Sequence, residues 1–393
     1  MADKLGRKET LVYNLIPHGF AWLIICYAKS VPVLLFGRFI SGAAVGIIAC
    51  VVPMYCVEIS TVEVRGILGS ACQGFLVIGN LVSVVIGAYI PWYYLALNGA
   101  VCSIFAVMCF CPMPESPRWL LMKNRLQEAI EVMNYLHGGF VNAEKECAEI
   151  DQDLQTQPKG TVTWQELKRR STIIPAVLCL FVMFFQHFSG MNAVFLYSSK
   201  VFDVSKDFMD PKLATIILAV VQVFATLLSN VTVDKVGRKI LLITSGCLMG
   251  LSFAVFGYYF YKISLDKTFE NSHWWIPLVC CTVAVIGYSV GYGPIPFLLS
   301  AEIVPVRVRS TINAVTHFAN GLFAFIVTKT FSDVENLLKS YGAFWFYSSM
   351  SVFGILFVIL FLPETKGKTI DEIQAIFDKS KKRKHDISIS VMK

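Results

Sequence analysis

Asp3-Lys4-Leu5-Gly6-Arg7-Lys8 and Asp234-Lys235-Val236-Gly237-Arg238-Lys239 are one short charged loop written twice, 231 residues apart. Two further pairs of motifs match at similar offsets. Glu58 to Arg65 and Glu302 to Arg309 each set a glutamate seven positions before an arginine, 244 residues apart. Pro114-Glu115 and Pro363-Glu364, 249 residues apart, each follow an apolar run and precede cationic residues. Three matches at nearly constant offset are the mark of an internal duplication.

What lies between the motifs decides the solvent. Only 16 % of the 393 residues are charged and 55 % are apolar, with a mean hydropathy of +0.62; a soluble chain carries about a quarter charged residues. A hydrocarbon layer takes about 20 mostly apolar residues per helix, and such stretches recur along most of the sequence. They predict spans at Leu11–Ala28, Val31–Tyr55, Ile67–Ile90, Trp92–Met113, Ile173–Tyr197, Ala214–Val233, Ile240–Leu265, Trp274–Ser300, Asn313–Phe331 and Phe344–Leu362. The expected class is an all-α membrane protein.

Two spans precede the Asp234 loop and four follow it, whereas four follow the Asp3 loop and none precedes it. The duplication therefore predicts a complete architecture of six plus six helices, of which this chain supplies four plus six. Parallel repeats of this kind build carriers. The expected organisation is a four-helix N-terminal bundle over residues 1–120, a helical linker over 121–172, a six-helix bundle over 173–365 and a basic tail over 366–393. In the linker, Leu126, Ala129, Ile130, Met133 and Leu136 share a helical face that Gly138-Gly139 ends, and Thr163 with Glu166 forms a capping box.

The formal charge of +7 does not point to nucleic acid, because the cations gather in loops on one side of the spans. With a cytoplasmic N-terminus, about 25 Lys and Arg fall in cytoplasmic segments and about 8 outside, as the positive-inside bias requires. Both termini are then expected in the cytoplasm, with the tail Lys379 to Lys384 against anionic lipid. The twelve cysteines lie mostly inside apolar spans and show no metal-ligand spacing, and no nucleophile, base and metal constellation suggests an enzyme or a cofactor.

The matched charges suggest a network at one end of each half: Arg7, Glu58, Arg65 and Glu115, with Arg118 in the same motif as Glu115, and Arg238, Glu302, Arg309 and Glu364. Exposed ion pairs contribute about 0 to 1 kcal/mol each, so several together can hold one conformation without freezing it. Simple topology anchoring is the alternative. Inside the spans Arg38 is the one clear charge, pairing across helices or snorkelling to an interface, and no intramembrane carboxylate stands out for proton coupling. Gln73, Gln186, His187, Asn192, Gln222, Ser289 and Asn320 place uncharged polar groups in separate spans. Amides offer both donors and an acceptor, which suits a neutral polyhydroxylated ligand, although interhelical hydrogen bonding remains open for each. Gly293, Pro294 and Pro296 interrupt a span and read as a hinge or an inert kink.

With these motifs, Arg38 and its glycines, Pro114 to Trp119, Gln186 to Asn192, Gly293 to Phe297 and Pro363 to Gly367, the whole chain resembles the sugar-porter branch of the major facilitator superfamily. That resemblance implies the major facilitator fold and facilitated diffusion of a hexose or a small disaccharide such as trehalose, in a multi-pass membrane setting; the plasma membrane is the default expectation, with vesicular membranes the alternative. It places Gln73, Gln186, His187, Asn192, Gln222, Phe297 and Asn320 at the sugar. His187 stands where the family has a second glutamine, Phe297 and Gly321 where it has tryptophans, Ser289 where it has a glutamate and Gln222 where it has an asparagine. A non-transporting isoform or sugar sensor, or a carrier of a polyol or organic ion, are the alternatives.

Overall fold

A computed structural model describes residues 2–60, 65–137, 143–156, 163–192, 194–195, 202, 210–266, 268–305, 308–366 and 370–377. Helices dominate, and no strand occurs among the described residues. The chain forms two compact units, Met1–Gly160 and Thr161–Lys393.

The first unit holds α1 (Arg7–Cys26), α2 (Val31–Ile59), α3 (Arg65–Tyr89) and α4 (Trp92–Phe110). α1 packs against both α2 and α4. Three short helices follow, α5 (Pro117–Met122), α6 (Leu126–His137) and α7 (Ala143–Thr156), and they share a small core of Trp119, Leu120, Leu121, Ala129, Met133, Ala143 and Cys147. Ala129 and Met133 turn inward as their spacing predicts, but Leu126 is half exposed at the first turn of α6, where the chain has not yet reached the partner helices. Gly138-Gly139 lies outside the described residues.

The second unit begins with α8 (Trp164–Leu167), where the Thr163 amide donates to the Glu166 carboxylate at 3.1 Å, one arm of the expected capping box. Then come α9 (Arg170–Phe188), α10 (Pro211–Val236), α11 (Arg238–Leu265), α12 (Ile276–Val290), α13 (Ile295–Ile303), α14 (Arg309–Phe361) and α15 (Ile370–Phe377). α11 is the core helix: it packs on α10, α12 and α14 and buries Leu242, Met249, Phe253 and Phe256.

Eight of the described helices are long and apolar enough to cross a membrane, against ten expected stretches, and two local causes explain the difference. α14 runs 53 residues, about 80 Å at 1.5 Å per residue and more than twice a hydrocarbon layer. It is interrupted at Lys339 (φ 60, ψ 167), so it comprises both of the last two expected spans. α1, at 20 residues, is long enough but diluted by Asn14, Pro17 and His18.

The expected span over Trp274–Ser300 breaks into α12 and α13 at Gly291–Pro294. Broken backbone inside a bundle is tolerated only where its freed groups find partners. Here Ser229 Oγ donates to the Val290 carbonyl at 2.9 Å, the Tyr292 amide donates to Ser245 Oγ at 3.2 Å and the Gly293 amide donates to the Tyr288 carbonyl at 2.7 Å. Neighbouring α10 and α11 thus hold the break open.

Candidate functional site

In the second unit, three elements converge on the end of α9. Gln186 is 2 % exposed, and its helix stops two residues later at a turn where Gly190 has φ 86. A side chain at Gly190 would run into the Tyr347 ring, so glycine fits there on both conformational and steric grounds. The turn lets Ser189 Oγ donate back to the Gln186 carbonyl at 2.7 Å and brings Asn192 round to the His187 ring, Nδ2 to Nδ1, at 2.6 Å. From α14, Asn320 Nδ2 donates to Gln186 Oε1 at 2.9 Å. From α12, the Tyr288 hydroxyl accepts from Gln186 Nε2 at 3.3 Å.

The cluster therefore brings together four residues singled out in the sequence, Gln186, His187, Asn192 and Asn320, with Tyr288 added. Among the described residues, His187 Nε2 within the cluster and Oγ of Ser289, next to Tyr288 in the chain, are buried without a hydrogen bond. Gln222 is buried on α10. Phe297, on α13, stacks on His317 with ring centroids 5.2 Å apart. Gln73 lies half-buried on α3 of the first unit.

The charged motifs form a second kind of site, built the same way in each unit. In the first, Arg7 is buried and pairs with Glu58, Nε to Oε2 at 2.9 Å, and also reaches Asp3 at 3.2 Å. Glu115 forms no ion pair among the described residues. Its carboxylate accepts from the Arg7 amide at 2.9 Å and from the Lys8 amide at 3.2 Å, capping the positive end of α1. Ser116 Oγ donates to Glu58 at 2.5 Å.

In the second unit, Arg238 pairs with Glu302 at 2.8 Å, Glu364 accepts from the Arg238 and Lys239 amides at 3.1 Å each, and Thr365 donates to Glu302 at 2.6 Å. Gly6 and Gly237 take φ 113 and φ 104 at the matching corners. Arg309 turns away from the carboxylates and donates to the Val304 carbonyl at 3.2 Å. Burial lowers its pKa from the usual guanidinium range. Arg118 makes no ion pair among the described residues, and the side chain of Arg65 lies outside them.

Ser116, Thr365 and Tyr288 were not singled out in the sequence. Ser116 and Thr365 carried a usable signal, since each directly follows a repeated Pro-Glu.

Comparison with known proteins matches this arrangement to one family. Residues 1–377 fit the family described as "Sugar (and other) transporter". The chain is 34 % identical over 389 residues to a protein of Bombyx mori named facilitated trehalose transporter Tret1, covering 99 % of this chain and 77 % of that one. It is 37 % identical over 377 residues to the Anopheles gambiae protein of the same name, covering 95 % of this chain and 47 % of that one. Among solved structures, the partially occluded inward-open xylose transporter XylE from E. coli superposes with a TM-score of 0.77 at 25 % identity, covering 94 % of this chain and 83 % of that one. The inward-open form of the same transporter gives 0.79 at 24 % identity, with 96 % and 84 % covered.

Proposed function

Because the chain belongs to the sugar (and other) transporter family, we propose that it moves a hexose or a small disaccharide such as trehalose down its gradient by alternating access. The observation that carries this reading is the cluster of neutral amides at the end of α9, with Gln186 buried and Asn192 and Asn320 partly buried, Asn320 bonded to Gln186 and Asn192 to the adjacent His187. Amide groups replace the water around sugar hydroxyls without charge, and the pairing of each amide with a neighbour leaves spare donors and acceptors at every member. Gln73, His187, Gln222 and Phe297 complete the set of solute contacts.

The charged clusters at the ends of α1 and α11 act as latches in this scheme. Each joins a helix N-terminus, a glutamate and a short-side-chain hydroxyl, a combination that can open and close at modest cost once water reaches it. Gly293, Pro294 and Pro296 serve as the hinge. The chain sits in the plasma membrane with both termini in the cytoplasm, its Lys379 to Lys384 tail against anionic lipid. No nucleic acid, metal or enzymatic step enters the scheme.

The test is uptake of labelled trehalose, glucose and xylose by liposomes holding the purified chain. Saturable, downhill entry of at least one sugar is expected, and Gln186→Ala should raise its KM about tenfold, the loss of roughly one charge-free hydrogen-bonding group. Entry no faster than in empty liposomes for every sugar would overturn the reading.

A further inference from the structure

A buried glutamine amide joined to the backbone by flexible torsions recognises a ligand only if something holds its plane. Gln186 is held from two sides, its Oε1 by Asn320 Nδ2 at 2.9 Å and its Nε2 by the Tyr288 hydroxyl at 3.3 Å. An amide offers two N–H donors and two lone pairs, so one N–H and one lone pair remain for a solute. The Tyr288 ring is itself fixed, standing edge-on to Phe195 with centroids 6.0 Å apart. Its hydroxyl accepts from Gln186, which leaves its own proton free to donate.

We propose that Tyr288 is a positioning residue for the solute site, clamping the Gln186 amide so that its free N–H and lone pair meet neighbouring hydroxyls of one sugar ring. This rests on the sugar-carrier reading above. An aromatic residue in an apolar span reads as packing, and the ring does pack; the hydroxyl adds the orientation. A phenylalanine would fill the same volume and leave the amide anchored only at Asn320, free to swing about its last torsion.

The test is Tyr288→Phe in the same liposome assay, measured alone and in a Gln186→Ala background. Alone, it should raise KM three- to tenfold while the maximal rate per inserted protein stays within twofold. In the Gln186→Ala background it should change KM by less than twofold, because the group it positions is gone. Sugar-dependent thermal shifts of the purified protein in detergent give a second readout that does not require insertion, and Tyr288→Phe should weaken the apparent affinity by the same factor. An unchanged KM, or an equal effect with and without Gln186, would overturn the positioning role and leave the carrier reading standing. A fall in maximal rate with KM unchanged would also overturn it, by making Tyr288 a packing residue. If the unaltered chain neither binds nor moves any sugar, both readings fall together.

Discussion

Arg7 and Arg238 occupy matching places, yet burial sets them apart. The Arg7 and Glu58 side chains are 4 % and 9 % exposed, while Arg238 and Glu302 are 12 % and 21 % exposed. Removing one member of a buried pair strands the other in a poorly solvated place and costs about 3 to 5 kcal/mol, whereas a pair with more access to water costs less to break. Arg7→Ala should therefore lower the unfolding midpoint of the purified protein clearly more than Arg238→Ala, and equal losses would show that water reaches both clusters alike. At the corner beside Arg238, Gly237→Ala combines a φ of 104 with a Cβ only 3.0 Å from Glu364 Oε2. Backbone strain of this kind costs about 1 to 3 kcal/mol, so a lowered midpoint is expected. A midpoint within 1 °C of the original would mean that the corner relaxes to a conformation open to alanine.

Elements repeat the lesson that partners, more than propensity, decide where a membrane helix can break. The α12–α13 break stands because Ser229 and Ser245 take up the groups it frees. Ser245→Ala leaves the Tyr292 amide buried and unpaired at a cost of about 1 to 3 kcal/mol, and it should both destabilise the protein and slow sugar turnover with little change in KM. Wild-type turnover in Ser245→Ala would separate the break from the transport cycle. The proline and glycine residues made this break readable in sequence. The Asp-Lys-x-Gly-Arg-Lys repeat likewise gave away the Arg7 and Arg238 clusters, since paired charges need particular side chains. The capping by Glu115 and Glu364 was not readable, because a backbone amide carries no sequence of its own. Arg309 followed the same rule, finding a carbonyl where a carboxylate was expected. Tyr288 stayed hidden because a tyrosine amid Val, Ile and Gly looks like any other packed ring, and only the neighbouring helices reveal what its hydroxyl meets. The interruption of α14 at Lys339 lacks a glycine or proline at that position, so the boundary between its two spans was legible only from the polar run around it.

For the molecule as a whole, the decisive quantity is how charge is distributed along the spans. A carrier that couples solute to protons needs a titratable group within the membrane that meets both the proton and the conformational change, and carboxylates commonly fill that role because a buried one readily gains or loses its proton. The glutamates that take part in the described clusters, Glu58, Glu115, Glu302 and Glu364, are engaged at helix ends with arginines, hydroxyls or backbone amides. The amide cluster around Gln186 contributes only neutral groups and one imidazole, and at the position beside Tyr288 the chain carries Ser289. Solute entry should therefore follow the sugar gradient alone. In liposomes with equal sugar on both sides, an imposed acid-outside gradient should drive no net accumulation, and a protonophore should leave the initial rate of downhill entry within twofold. Accumulation that collapses with the protonophore would make the carrier a symporter, and would direct attention to the imidazole of His187, whose Nε2 is buried without a hydrogen bond. His187→Gln would then be the discriminating variant, since it keeps hydrogen-bonding capacity and removes the titrating ring: loss of accumulation with downhill entry preserved would assign the proton to that position.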